Sequence, residues 1–220
     1  MRRTLAALGA WAVMVATCAT GSADSITLVS DTNTLAAAVG VGGIPTSGDE
    51  MILDSGDTTG LAFGAAVAGS FTFTTPPAGS PVGTETIAIP PDDLNNGQNG
   101  FFEVQFTLPA GFFNPWLTGA GNVDDGGTVF LNGTAITPVN YLNEGGDNAF
   151  FTTQASLFQV GTNTLLISDS NTGGGPSGAA FYAIVNFNGA AVPEPSGVAL
   201  LGLGVTSIML YVRRRASGSR

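Results

Sequence analysis

The sequence predicts an all-β fold, an antiparallel β-sandwich, over residues 24–190. Three observations predict it. Apolar and polar residues alternate with a period of two in the clearest runs, as a strand requires when only one face meets a core. Clusters of Gly, Pro, Asn and Asp interrupt the chain at short intervals. No stretch sustains the 3.6-residue period of a long amphipathic helix. Several short strands between such turns make the pattern of a sandwich.

In chain order, the first strand is expected at Ile26–Val29, followed by a helical turn over Asn33 to Val39. Strands are then expected at Glu50–Leu53, Phe71–Thr75 and Thr84–Ile89. The clearest strand is Gly100–Leu108, where Phe102, Val104, Phe106 and Leu108 point one way and Glu103, Gln105 and Thr107 the other. Thr128–Leu131 runs into Asn132-Gly133, two residues that tolerate positive φ and suit a tight hairpin. Asn163–Asp169 is a further strand, and Phe181, Ala183, Val185 and Phe187 repeat the alternation near the end. Between these lie the turn clusters Gly40–Gly48, Pro76–Gly83, Pro90–Gly100, Gly119–Gly127, Asn143–Asn148 and Asn171–Gly178. All 14 phenylalanines fall in this region, and most are expected in its core.

Charge is distributed unevenly. All six basic residues are arginines at the extremes, and there is no Lys, Arg or His between Thr4 and Val212. The sixteen acids lie from Asp24 onward. A body without bases cannot neutralise phosphates, so no nucleic acid is expected as a partner. Without histidine there is no Ser-His-Asp triad, Cys-His dyad or ordinary zinc site. The single cysteine, Cys18, sits in the N-terminal apolar run, which leaves the domain no disulfide or thiol nucleophile.

Both ends read as addresses. Arg2 and Arg3 precede an uncharged apolar stretch, Leu5 to Ala19, and then small residues to Ala23. This is the pattern of a signal peptide over residues 1–23, with signal peptidase cutting after Ala23. An uncleaved anchor and a lipoprotein modified at Cys18 are the alternatives. Residues 191–220 hold Val192-Pro193-Glu194-Pro195, an apolar segment 196–212, and Arg213-Arg214-Arg215. Seventeen residues make a helix of roughly 25 Å, long enough for a thin bilayer. The arginines fix its C-terminus in the cytoplasm, and the prolines keep the preceding backbone extended. This order resembles the PEP-CTERM sorting signal of Gram-negative bacteria. The resemblance implies recognition by an exosortase, a transient membrane anchor through the C-terminal transmembrane helix, and delivery to the cell surface or an exopolysaccharide matrix. A plain tail anchor is the alternative.

A second resemblance covers about 80 residues. Phe106-Thr107-Leu108-Pro109, Val123-Asp124-Asp125-Gly126, Val129-Phe130-Leu131-Asn132-Gly133, Gly161-Thr162-Asn163-Thr164-Leu165 and Ser170-Asn171-Thr172-Gly173-Gly174 follow one another in order. The series looks like the later half of a galactose-binding-like jelly roll. Such domains often bind carbohydrate and hold a structural calcium, which the resemblance makes expectations for this chain.

Candidate sites follow from residue types. Asp124 and Asp125 beside Gly126 and Gly127 offer calcium the hard oxygen ligands it favours, with Asp147 and Asp169 as further candidates. The same aspartates also suit a turn for its own sake. A polysaccharide ligand needs an exposed aromatic with converging polar groups, for which Trp116, Tyr141 and Asn143 are the candidates. Trp116 equally suits a core. Asp54-Ser55-Gly56 resembles an aspartic-protease triplet, but Asp57 follows it and no second copy exists. Asn132-Gly133-Thr134 fits a glycosylation triplet and a turn alike. The expected function is non-enzymatic: an exported structural or adhesive surface or matrix protein that binds carbohydrate. A secreted carboxylate-dependent polysaccharide hydrolase and a self-assembling surface subunit are the alternatives.

Overall fold

The computed structural model describes residues 23–40, 47–69, 75–90, 99–173 and 177–189, all within one unit spanning Ser22–Ala190. The apolar signal segment, the sorting tail with its expected span, and Phe71–Thr74 lie outside the described residues. Among the described residues no helix is long and apolar enough to cross a membrane.

Along the chain come β1 (Ala23–Val29), β2 (Leu35–Ala38), α1 (Ser47–Ser55), β3 (Gly64–Ala65), β4 (Val67–Ala68) and β5 (Ile87–Ala88). Then follow β6 (Gly100–Leu108), β7 (Phe113–Asp124), β8 (Gly126–Gly127), β9 (Val129–Leu131) and β10 (Thr134–Ala135). The rest are β11 (Leu142–Asn143), β12 (Asn148–Thr152), a 3-10 turn (Ala155–Leu157), β13 (Gly161–Asp169) and β14 (Gly178–Asn188). One sheet has the order β12-β7-β14-β5-β4, with β1 also paired to β14. The second has the order β10-β9-β13-β6-β2-β3, and β11 pairs with β8. Every pairing is antiparallel.

The two sheets pack face to face as a sandwich. Leu28, Leu117, Phe150, Phe181, Ala183 and Val185 of the first sheet meet Phe102, Phe106, Leu108, Val129, Leu131, Leu165 and Ile167 of the second in one core. Fully burying such a side chain contributes roughly 1.5–3 kcal/mol. The alternation in β6 and β14 produces this directly: Phe102, Phe106 and Leu108 are buried, while Gln105 and Thr107 are exposed. The Asn132-Gly133 hairpin also forms as expected, with φ of 50° and 78° and Thr134 paired to Leu131.

Four local expectations are corrected. Glu50–Leu53 belongs to α1, not to a strand. Leu53 is buried on the outer face of the second sheet against Phe101, Phe130 and Leu166. This second layer explains why Val129-Phe130-Leu131 is buried at every position. Asn33–Val39 is not helical. The carboxylate of Asp31 accepts the Asn33 and Thr34 amides in a side-chain turn, and β2 then pairs Ala36 with Phe102. Tertiary pairing here overrides the helix preference of alanine. The expected strand Thr84–Ile89 narrows to Ile87–Ala88.

Gly119–Gly127 is the largest correction, because β7 runs through it as far as Asp124. Glycine usually weakens a central strand, but here it makes room. Gly119 lies opposite Phe150, and a Cβ on Gly119 would stand 2.6 Å from the ring's Cζ. Gly121 lies opposite Phe181, and a Cβ there would stand 3.0 Å from the Cβ of Phe181. The Phe150 ring fills the space that Gly119 leaves, and Gly121 lets β7 pass close to Phe181, so that β12, β7 and β14 pack together.

The second half is locked by two asparagines. Asn132 donates from Nδ2 to the Leu157 carbonyl and to Asn163 Oδ1, and its Oδ1 accepts the Thr164 amide. Asn163 is fully buried; its Nδ2 donates to the Gln159 and Gly161 carbonyls, and its Oδ1 accepts the Gln159 amide. The network ties the hairpin, the 3-10 turn and β13 into one unit. Asn163→Ala strands several of these groups and is expected to destabilise the protein by about 3 kcal/mol in urea unfolding. A loss within 0.5 kcal/mol, as at an ordinary surface site, would remove the network from the account.

Candidate functional site

The chain turns sharply after β7, and that corner is pinned from several sides. The Asp125 and Gly126 amides donate to the Ser170 carbonyl, and the Ser170 amide donates back to Gly126. The peptide between Asp124 and Asp125 is cis. Across the corner β11 pairs Asn143 with Gly126, which brings the next residue, Glu144, beside Asp125. Asp124, Asp125 and Glu144 thus converge, each offering one carboxylate oxygen within 4.8 Å of the others.

The three carboxyls differ in environment. Asp124 is 8% exposed, and its carboxyl is pushed up from 3.8 to about 7 by burial, then by the negative charges of Asp125 and Glu144. Burial also pushes Asp125 up, but its hydrogen bonds outweigh this and hold it below the ordinary carboxylate range. Its Oδ2 accepts the Thr172 hydroxyl at 2.6 Å and the Thr172 and Gly173 amides at 2.7 and 2.9 Å. Glu144 is exposed. The donor set is all hard oxygen, which suits calcium or magnesium and not zinc. Asp124 fits such an ion well, because its buried carboxyl meets carboxyls of like charge where a cation would relieve the repulsion.

Sequence reasoning found Asp124 and Asp125 but missed Glu144, which no spacing singles out among sixteen acids. Asp169 stays outside the cluster: it is fully buried, and the Ser177 hydroxyl lies 2.8 and 2.9 Å from its two oxygens. Asp147 is also elsewhere, accepting the Ala78 amide at 3.0 Å. Trp116, Tyr141 and Asn143 do not converge. Trp116 is 43% exposed on the outer face of the first sheet, so it is not a core residue. Tyr141 donates its hydroxyl to the Ala149 carbonyl beyond β7, and Asn143 belongs to the corner at the strand's far end. Eight residues along β7 separate Trp116 from Asp124, a span of about 26 Å. Asp54-Ser55-Gly56 closes α1, with the Gly56 amide donating to the Ile52 carbonyl, and makes no dyad.

An open cleft of about 590 Å³ lies between β1 and β6, with Asp31 and Glu103 among its lining residues. Both acids accept hydrogen bonds from neighbouring residues. Asp31 holds its own turn, and Glu103 accepts the Gln105 side-chain amide at 2.6 Å.

No protein-family model matches the chain. No curated protein matches it in sequence. Among solved structures it is similar to a beta-glucuronidase of an uncultured Clostridium species, at 10% identity and a TM-score of 0.37. That match covers 78% of this chain and 30% of the other, so this chain spans less than a third of that structure.

The Asp124 environment sets a pH dependence. Its carboxyl binds a proton more tightly in the folded protein than in the unfolded chain, so ionisation opposes folding. Stability of the cation-free protein should fall as pH rises from 3.8 to about 7 through this group, and level off above. Asp125 acts in the opposite sense, but only below the ordinary carboxylate range. With chelator present, Tm is expected to be higher at pH 5 than at pH 8, and Asp124→Asn should flatten much of that slope. Millimolar calcium is expected to raise Tm at pH 8 in the parent protein and not in Asp124→Asn. A Tm indifferent to calcium and chelator would remove the metal from the site.

Proposed function

We propose that the protein is exported and delivered to the cell surface or an exopolysaccharide matrix, where it serves as a structural or adhesive, non-catalytic module. In this reading the signal peptide ends at Ala23, and the tail of Val192–Pro195, the span 196–212 and Arg213–Arg215 is an exosortase substrate. The sandwich is a galactose-binding-like jelly roll that holds calcium at Asp124, Asp125 and Glu144 and takes matrix polysaccharide as its ligand. The observation that carries the reading is the convergence of three carboxylates at one corner of a domain with no basic residue. Such a body repels itself at low salt and is relieved by divalent cations, which suits a component of a cation-bridged matrix.

The carboxylate-dependent hydrolase is kept as a second reading because Asp124 is pushed up while its neighbour Asp125 is held down. Opposed shifts of this kind can mark a general acid beside an ionised partner. The hydrogen bonding favours the cation. Asp125 already accepts three donors on one oxygen, and Asp124 is buried.

Two outcomes test this. Replacing Pro193, Glu194 and Pro195 by alanine should hold the protein in the membrane fraction at precursor mass, while the parent reaches the surface or medium. Equal release of both would overturn the sorting assignment. Release of reducing sugar from matrix polysaccharide, lost in Asp124→Asn and Asp125→Asn, would replace the module with the hydrolase.

A further inference from the structure

The outer face of the first sheet is unlike the rest of this acidic molecule. Inward residues of β7 and β12 include Leu117, Gly119, Phe150 and Thr152, so Trp116, Thr118, Ala120 and Phe151 point outward. The register continues the outward face through Asn186, Ile184 and Tyr182 of β14 and Ser25, Thr27 and Val29 of β1. None of these residues is charged; the first acid that the same alternation brings to this face is Asp124, eight residues along β7 from Trp116.

Two aromatics stand out on this face. Phe151 is 71% exposed and Trp116 is 43% exposed. Phe151 lies opposite Thr118, two residues from Trp116, which makes the two residues diagonal cross-strand neighbours, spaced about 7–8 Å and within reach of aromatic side chains. Neither is a displaced core residue, because Phe150 and Leu117 beside them take the inward positions at 2% and 0% exposure. Hydroxyl and amide groups border the pair: Thr118 between them, Asn186 opposite Trp116, and Ser25 and Thr27 beyond on β1.

We propose that this face binds a neutral polysaccharide, with pyranose rings stacked on Trp116 and Phe151. The inference rests on the reading of the domain as a glycan-binding module and names the surface and the ligand class. A sugar ring has an apolar face of C–H groups and a rim of hydroxyls. An exposed aromatic pair bordered by Thr118, Asn186 and Thr27 answers both parts. Charge selects the neutral class. Among the described residues the face has no cation to pair with a uronate or sulfate, and the acidic body repels an anionic polymer. The surface is distinct from the carboxylate corner, so binding here needs no bridging ion.

Affinity electrophoresis of the purified protein tests the assignment, using gels with hydroxyethyl cellulose, dextran, galactomannan or alginate. The expected result is retardation by at least one neutral polymer, unchanged by chelator and absent with alginate. Trp116→Ala and Phe151→Ala should each weaken it about tenfold or more, and Met51→Ala on α1, an equally exposed apolar side chain, should not. Phe151 is exposed enough that its truncation leaves the fold intact, which unchanged circular dichroism and Tm verify. Retardation that survives both aromatic substitutions would overturn this surface while leaving the glycan-binding reading in place. No retardation by any polymer would overturn both. Retardation by alginate alone, or a dimer in light scattering that Phe151→Ala dissolves, would show that the face serves another occupant.

Discussion

The antiparallel pairing of β7 with β14 is the contact on which the rest of the structure depends. It runs from Gly178 opposite Asp124 to Asn186 opposite Trp116, and β12 and β1 extend the sheet on either side. The pairing is possible in this form because Gly119 and Gly121 leave space for Phe150 and Phe181. A side chain at Gly119 would press on the Tyr182 carbonyl and the Phe150 ring, and one at Gly121 on the Cβ of Phe181. The same strand then carries two surfaces of different chemistry. Trp116 sits among uncharged residues near one end, and Asp124 enters a carboxylate cluster at the other.

Much of the fold was legible because its strands bury one face. In β6 and β14 the alternation of Phe102, Phe106 and Leu108, or of Phe181, Ala183 and Val185, needs only a core on one side. The Asn132-Gly133 turn was legible because its backbone conformation restricts its residues. What failed depended on partners far away in sequence. Gly119–Gly127 looks like a turn until Phe150 and Phe181 supply the missing bulk. Leu53 looks like a strand residue until Phe101, Phe130 and Leu166 offer a second layer for α1. Ala36 becomes a strand residue only because Phe102 lies beside it.

The candidate sites divide in the same way. Asp124 and Asp125 were visible as an acidic turn, but Glu144 joins them only through the pairing of β11 with β8. Trp116 left its two readings open in the sequence, and only the inward position of Leu117 shows which way it points. The proposed function joins these parts physically. A domain with no basic residue gains little from anionic partners, which is why the proposal gives it cations at the corner and neutral surfaces on the sheet. In that proposal the terminal arginines belong to the address segments, and a processed domain would carry none of them.

A crystal structure of the protein grown with calcium, with the ion located by anomalous scattering, tests the central claim most directly. The expected result is an ion about 2.3–2.6 Å from oxygens of Asp124, Asp125 and Glu144. Three carboxyls at that corner without an ion, joined by shared protons or bridged by water, would contradict it.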